Sequence, residues 1–252
     1  TSNRELRRML CPRYVRCMSR PVAEREQERA MNAKTASVAA HSFCKTQGTG
    51  KSFALKEAIR AAKRVGRRVF VTASTGAAAT QIGGQTIHAF AGVGHAGESA
   101  ADLARHVASS YKAKKRWLAC ETLVIDEISM LDASTFDKLD HVARYVRGND
   151  KPFGGVQLLC CGDFLQLPPV SARGGFAFEA KCWRRCFPEQ RALTRVFRQS
   201  GDDTFLQILG ELRIAKLSNK SAALLRRLKH TDLSEWTSRG IEPTRLQCYN
   251  AD

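Results

Sequence analysis

The sequence predicts an α/β fold in which helices cover both faces of a largely parallel, doubly wound sheet. Three observations carry this prediction. From about residue 35, short apolar runs alternate with segments of helical period. The run Val156–Cys161 is apolar without interruption, as a strand buried on both faces should be. A glycine-rich loop, 45–52, follows the first apolar run and opens the first helical segment.

Each element has its own local reason. Val38–Cys44 reads as the first strand. Lys51–Val65 reads as a helix with Leu55, Ile59, Ala62 and Val65 on one stripe and Gly66 as its stop. Arg68–Ala73 is a strand rich in β-branched residues, and Leu123–Ile125 is another that delivers Asp126 to its end. Thr135–Val146 is helical, with Phe136, Leu139, Val142 and Val146 facing one way and Gly148 beyond. Val156–Cys161 is the fourth strand, and helical patterns return at Thr204–Leu212 and Ala222–Leu228.

Composition narrows the functional classes. The net charge is +17 at pH 7, which favours a polyanionic partner. Residues 1–34 hold nine Lys/Arg and four Glu, so the remainder still carries 32 bases against 20 acids, a net charge of +12. No apolar run approaches the roughly 20 residues of a bilayer-spanning helix, and no membrane partner is expected. The nine cysteines include no CxxC pair, so neither a zinc ribbon nor a disulfide framework is supported. Cys160 and Cys161 read as buried free thiols, and Cys182 and Cys186 flank Trp183, where a metal site would lack other ligands nearby. Segment 1–22 is Arg-rich with Glu5 as its one acid, which suits a mitochondrial transit segment or the disordered basic tail of a nuclear protein. The chain starts with Thr and ends Tyr249-Asn250-Ala251-Asp252, and a fragment is expected.

The chemistry resides in three motifs. In Lys45-Thr46-Gln47-Gly48-Thr49-Gly50-Lys51-Ser52, the glycines admit phosphate to the backbone N–H groups, Lys51 reaches the β/γ-phosphates and the Ser52 hydroxyl suits Mg²⁺. The strand–loop–helix context adds the helix N-terminus. Lys45 stands where GxxxxGK[ST] has glycine; if φ is positive there, the cost is about 1–3 kcal/mol. In Leu123-Val124-Ile125-Asp126-Glu127, Asp126 is suited to Mg²⁺ through water and Glu127 to deprotonating an attacking water, or to a solvated helix start. In Gly162-Asp163-Phe164-Leu165-Gln166-Leu167-Pro168-Pro169-Val170, the Gln166 amide both donates and accepts, so it suits sensing a γ-phosphate; a plain turn is the alternative.

With these stand Thr72–Ala79, Gly83–Gly94, Ile125–Leu131, Phe176–Ala180 and Leu193–Gln199. Together, in order from about Glu26 onward, the strings resemble the Pif family of DNA helicases. The resemblance implies a RecA-like P-loop NTPase domain over 23–190, with a candidate strand-separating wedge at 95–118, and the start of a second motor domain over 191–252. It implies an ATP- and Mg²⁺-dependent motor that moves 5′→3′ on single-stranded DNA. Gln27 would then recognise adenine; Gly48, Thr49, Gly50, Lys51 and Ser52 would hold nucleotide. Arg198 would act as an arginine finger or stand as a surface Arg. Single-stranded DNA and duplex junctions are the expected partners, the expected state is a monomer, and the expected compartment is mitochondrial or nuclear. Repair, recombination, and telomere or organellar-genome maintenance are the implied settings.

For DNA, Ser74, Thr75 and Gly76 lie at a strand end and offer donors to phosphate oxygens. His88 offers stacking or a backbone contact, and Phe90 offers either that or a place in the core. Tyr111-Lys112-Ala113-Lys114-Lys115-Arg116-Trp117 reads as part of the wedge or as a solvated helix face with Trp117 buried. The chain by itself is expected to bind nucleotide and hydrolyse it slowly. A non-catalytic single-strand-binding paralogue with a decayed ATP site, which Lys45 favours, and an unrelated P-loop ATPase are the competing readings.

Overall fold

The computed structural model describes residues 41–44, 51–169, 174–192, 202–228, 232 and 234–240, with 41–44 and 189–192 given as backbone course. Of the expected first strand, 38–40 lies outside the described residues. The described residues fall into two compact units, divided after Asp203.

The first unit is built on a six-stranded sheet of order β3-β2-β4-β5-β1-β6. The strands are β1 His41–Cys44, β2 Val69–Ala73, β3 Gln85–Thr86, β4 Thr122–Asp126, β5 Gln157–Gly162 and β6 Glu189–Ala192. Every pairing is parallel. Ala73 stands opposite Asp126, so β2 and the strand that carries the acid pair end at the same level. The chain leaves β2 toward β3 and leaves β4 toward β5, in opposite directions across the sheet. A crevice therefore opens above the carboxyl ends of these two neighbours, where α/β sheets bind ligands.

Strand alternation sorts the core into two layers. Leu123, Ile125, Leu158 and Cys160 face one layer with Phe136, Leu139 and Val142. Val124, Leu159 and Cys161 face the other, where Leu55 covers them. All of β4 and β5 is buried, which explains their unbroken apolar character. Leu55 belongs to α1 (Lys51–Arg64). Val65 departs from the expected stripe: the helix ends at Arg64 and Val65 is exposed, followed by Gly66 at φ +79.

Helix α2 (Gly76–Gln81) connects β2 to β3, and on the first layer lie α3 (Ile87–Ala91), α4 (Ala100–Ser109), α5 (Tyr111–Ala119), α6 (Ala133–Arg147) and α7 (Trp183–Cys186). Five of these follow the usual N-cap logic: Thr75, Thr86, Ser99, Ser110 and Asp132 each accept a backbone N–H from the first turn. Helix α6 closes at Gly148 in the left-handed region. Cys160 and Cys161 are buried and outside any disulfide, as expected. The short strands β3 and β6 were not foreseen, since two to four residues hold too little periodicity to read.

The second unit holds α8 (Asp203–Arg213), α9 (Asn219–Leu228) and α10 (Ser234–Ser238). Glu211 ties the α8–α9 turn by accepting from the Ser218 N–H at 2.8 Å, and Ile208, Ala215 and Ser221 are buried among the described residues of this unit.

Candidate nucleotide and nucleic-acid site

Lys51 and Ser52 are the first two residues of α1. Gln27, Lys45, Gly48, Thr49, Gly50 and Arg198 lie outside the described residues. Asp126 is the last residue of β4 and is buried. Burial pushes its carboxyl above the ordinary range, opposed by the Glu127 N–H, the Lys51 charge and the Cys161 thiol. Burial also raises Glu127, helped by the negative charges of Asp126 and Asp163 and opposed by Lys51. The amine at 51 therefore lies close enough to act on both members of the acid pair.

The backbone at the pair is unusual. Glu127 adopts φ 51, ψ 41, in the left-handed region, which costs a residue with a side chain about 1–2 kcal/mol. Its N–H donates to Asp126 Oδ1 at 2.9 Å. The chain then turns through a 3₁₀ helix at Ile128–Met130, held against the end of β5. Gly162 permits that approach, because a Cβ there would stand 2.9 Å from Ile128 Cγ2 and 3.0 Å from the Ser129 nitrogen.

A third acid completes the site. Asp163 is fully buried, and its Oδ2 accepts from Gln166 Nε2 at 2.8 Å while its Oδ1 accepts from the Leu165 N–H at 3.2 Å. Gln166 is exposed, with one amide hydrogen committed to Asp163. The loop is anchored by Phe164, whose ring lies 4.9 Å from Phe178 and 6.0 Å from Trp183. Sequence reasoning quoted Asp163 but gave it no role; its place directly after the strand glycine was the signal.

The strand end at 74–76 is resolved residue by residue. The Ser74 N–H donates to the Asp126 carbonyl at 3.1 Å, and its hydroxyl donates to the Glu127 carbonyl at 2.8 Å. Both donors of Ser74 thus point inward, which corrects the expectation that they serve DNA phosphates. Thr75 Oγ1 accepts from the Ala78 N–H, leaving its own hydroxyl hydrogen, and Gly76 is exposed with open space where a Cβ would stand.

His88 and Phe90 both lie on α3 and part company there. His88 is half-buried; burial lowers its pKa, Asp132 opposes this and His95 adds to it, so the imidazole is neutral at pH 7. Phe90 is fully buried, 5.2 Å from Phe70 and 4.9 Å from Trp117 between ring centroids. It is a core residue, and its assignment to DNA is corrected: residues two apart on a helix stand about 200° apart around its axis, so His88 and Phe90 face opposite ways, and α5 covers the Phe90 side.

Helix α5 resolves the basic-aromatic segment in the same manner. Trp117 is fully buried and its indole donates to the Ala91 carbonyl at 3.1 Å. Arg116 donates to the carbonyls of Phe90 at 2.7 Å and Ala89 at 2.9 Å. These bonds satisfy the open end of α3. Tyr111, Lys112, Lys114 and Lys115 remain exposed, with Lys115 5.8 Å from the Tyr111 ring.

Asp140, Cys182 and Cys186 are buried together with ligand atoms within 4.8 Å of one another, so the expectation of no further ligand near the two cysteines is corrected. Both Asp140 oxygens are already bonded, to the Phe153 N–H at 2.7 Å and Arg144 Nε at 2.9 Å. The Cys186 contact and then burial push the Cys182 thiol up, so this sulfur stays protonated.

Residues 23–220 match the sequence model described as PIF1-like helicase. This chain belongs to the PIF1-like helicase family. The ATP-dependent DNA helicase PIF1 of Rattus norvegicus is 46% identical over 215 residues, covering 83% of this chain and 32% of that protein. RRM3 of Saccharomyces cerevisiae, also an ATP-dependent DNA helicase, is 38% identical over 229 residues, 88% of this chain and 31% of that protein. The chain thus spans about a third of the length of the curated relatives it matches. Among solved structures, Pif1 helicase from Candida albicans superposes with a TM-score of 0.77 at 37% identity, covering 84% of this chain and 49% of that one. The Pif1 helicase from Bacteroides in complex with ADP-AlF3 and single-stranded DNA superposes with a TM-score of 0.69 at 28% identity, covering 85% and 52%. The family's RecA-like fold matches the parallel sheet described above.

Proposed function

We propose that this chain is the first motor domain of an ATP-dependent DNA helicase that moves 5′→3′ on single-stranded DNA and opens duplex junctions. The observation that carries the reading is the gathering of Lys51, Asp126, Glu127 and Asp163 at one rim of the sheet, beside the 74–76 strand end. Lys51 neutralises charge on the β/γ-phosphates, and the 45–52 loop cradles them. Three acids against one amine leave an excess of oxygen ligands that fits Mg²⁺, with Asp126 and Ser52 as its holders. Bound there, the ion would supply positive charge against the phosphate oxygens. Glu127 accepts the proton of the attacking water, and its raised pKa brings it nearer to working pH. Asp163 orients the Gln166 amide toward the γ-phosphate. Gln27 contacts adenine, and Arg198 supports the transition state.

DNA lies along Thr75, Gly76 and His88, with the exposed lysines of α5 at the junction. The motor acts as a monomer in DNA repair, recombination, or telomere or organellar-genome maintenance, in mitochondria or the nucleus. Among the described residues no helix is long and apolar enough to cross a membrane.

The test is DNA-stimulated ATP hydrolysis and fork unwinding by the full-length protein. Lys51→Ala must abolish both. Single-stranded DNA binding without stimulated hydrolysis would instead favour the non-catalytic paralogue, for which Lys45 is the motivating residue.

A further inference from the structure

We propose that Ser74 is a positioning residue that couples the DNA-bearing strand end to the general base Glu127. This rests on the ATPase reading above and adds to it a connection between the two sites. Three observations carry it. First, both donors of Ser74 are committed to the acid pair: its N–H to the Asp126 carbonyl at 3.1 Å, and its hydroxyl to the Glu127 carbonyl at 2.8 Å. The same hydroxyl lies 3.5 Å from the Asp126 carbonyl. Second, the carbonyl it grips belongs to a residue in the left-handed region, at φ 51 and ψ 41. No side chain caps the 3₁₀ turn that Glu127 opens. A non-glycine residue holds such a conformation only where its surroundings impose it. Third, the latch sits on a rigid base. One turn of the pleat earlier, the Thr72 hydroxyl donates to the Val124 carbonyl at 2.6 Å in full burial. The Thr72 hydroxyl in β2 therefore reaches across to β4 inside the sheet, and the Ser74 hydroxyl, one residue past β2, reaches the residue just past β4 at its mouth.

The consequence is mechanical. Fixing the Glu127 peptide fixes the direction of its Cα–Cβ bond, and so restricts the positions its carboxylate can reach. Ser74 is joined directly to Thr75 and Gly76. A displacement of that segment by bound DNA therefore reaches the base through one covalent bond and one hydrogen bond. Gln166 senses the nucleotide from the opposite side, through Asp163. Ser74 provides a route from DNA to the base that does not pass through Gln166.

Ser74→Thr and Ser74→Val test this, because the two side chains have the same shape and differ in the hydroxyl. ATP turnover by the full-length protein is measured with and without saturating single-stranded DNA, alongside KM for ATP and DNA affinity by anisotropy. With DNA, Ser74→Val should lose about tenfold in kcat relative to Ser74→Thr, with KM and DNA affinity within about twofold. Its ratio of stimulated to basal rate should fall toward one. Should the branched side chains prevent folding, Ser74→Ala against wild type reads the same loss. Equal turnover with and without the hydroxyl overturns the latch. So does a tenfold loss of DNA affinity at unchanged saturated turnover, which would make Ser74 a DNA contact. A wild-type protein that DNA does not stimulate refutes the motor reading itself, an outcome distinct from either.

Discussion

Replacing Phe90 with alanine separates a core role from a DNA role at a position where the sequence allows both. The ring is fully buried, with centroids 5.2 Å from Phe70 and 4.9 Å from Trp117. Removing a buried phenylalanine costs about 3–5 kcal/mol, from lost transfer energy and the cavity left behind. Two aromatic neighbours, each contact being worth about 0.5–1.5 kcal/mol beyond area, place this site in the upper half of that range. The cavity cannot collapse easily, because Arg116 and Trp117 pin the surrounding carbonyls of α3. For a domain of this size, about 2–4 °C is lost per kcal/mol, so Tm should fall by roughly 8–20 °C. Calorimetry reads the transition, and fluorescence anisotropy below it reads single-stranded DNA affinity, which should be nearly unchanged. A Tm shift of under about 2 °C with a tenfold loss of DNA affinity would refute the packing argument.

The other predictions use the same logic on polar groups. Glu127→Gln should keep nucleotide binding and lose at least about a hundredfold in turnover. Burial first, and then Asp126, raise the Glu127 pKa, so wild-type hydrolysis should fall on acidification with a midpoint above that of a free glutamate. A raised carboxyl favours folding most below its unfolded pKa and loses that contribution as pH rises through the folded value. Glu127→Gln should therefore melt higher than wild type at neutral pH, and a lower Tm would contradict the burial argument. His88→Ala should weaken single-stranded DNA binding by about 1–3 kcal/mol, with little change in Tm. Since the half-buried imidazole is neutral, the slope of log affinity against log salt should stay the same; a shallower slope would make it a charged phosphate contact. Arg147 donates to the carbonyls of Gly154 at 2.7 Å, Trp117 at 2.5 Å and Cys120 at 3.0 Å. Arg147→Ala should cost on the order of 3 kcal/mol, and lysine should not restore it, because its compact ammonium lacks the separate Nε and Nη1 donors that reach Gly154 on one side and Trp117 and Cys120 on the other. Urea unfolding with a loss below about 0.5 kcal/mol would refute this.

Periodicity made most of the sheet legible. The unbroken apolar run at 156–161 predicted a strand, and β5 occupies Gln157–Gly162 with every residue buried. Thr135–Val146 predicted a helix, and α6 spans Ala133–Arg147. The acid pair was legible for the same local reason: an apolar strand that ends in Asp126 must deliver it to the rim. What stayed hidden was contact between distant segments. Nothing near Cys182 and Cys186 in sequence announces Asp140, which reaches them from α6. Asp163 was visible as a letter, yet its hold on Gln166 required the loop's folded course.

The sequence by itself determined the strand–loop–helix that presents Lys51 and Ser52, the carboxyl-end placement of Asp126 and Glu127, and the family to which the chain belongs. All of these follow from patterns a few residues long. Only the tertiary structure decided which way the donors of Ser74 turn, and that Phe90 and Trp117 belong to the core while His88 stays half-open. The physical reason is that burial and hydrogen-bond partnership belong to the surroundings of a side chain. Those surroundings are supplied by β4 and α5, whose residues arrive from far along the chain.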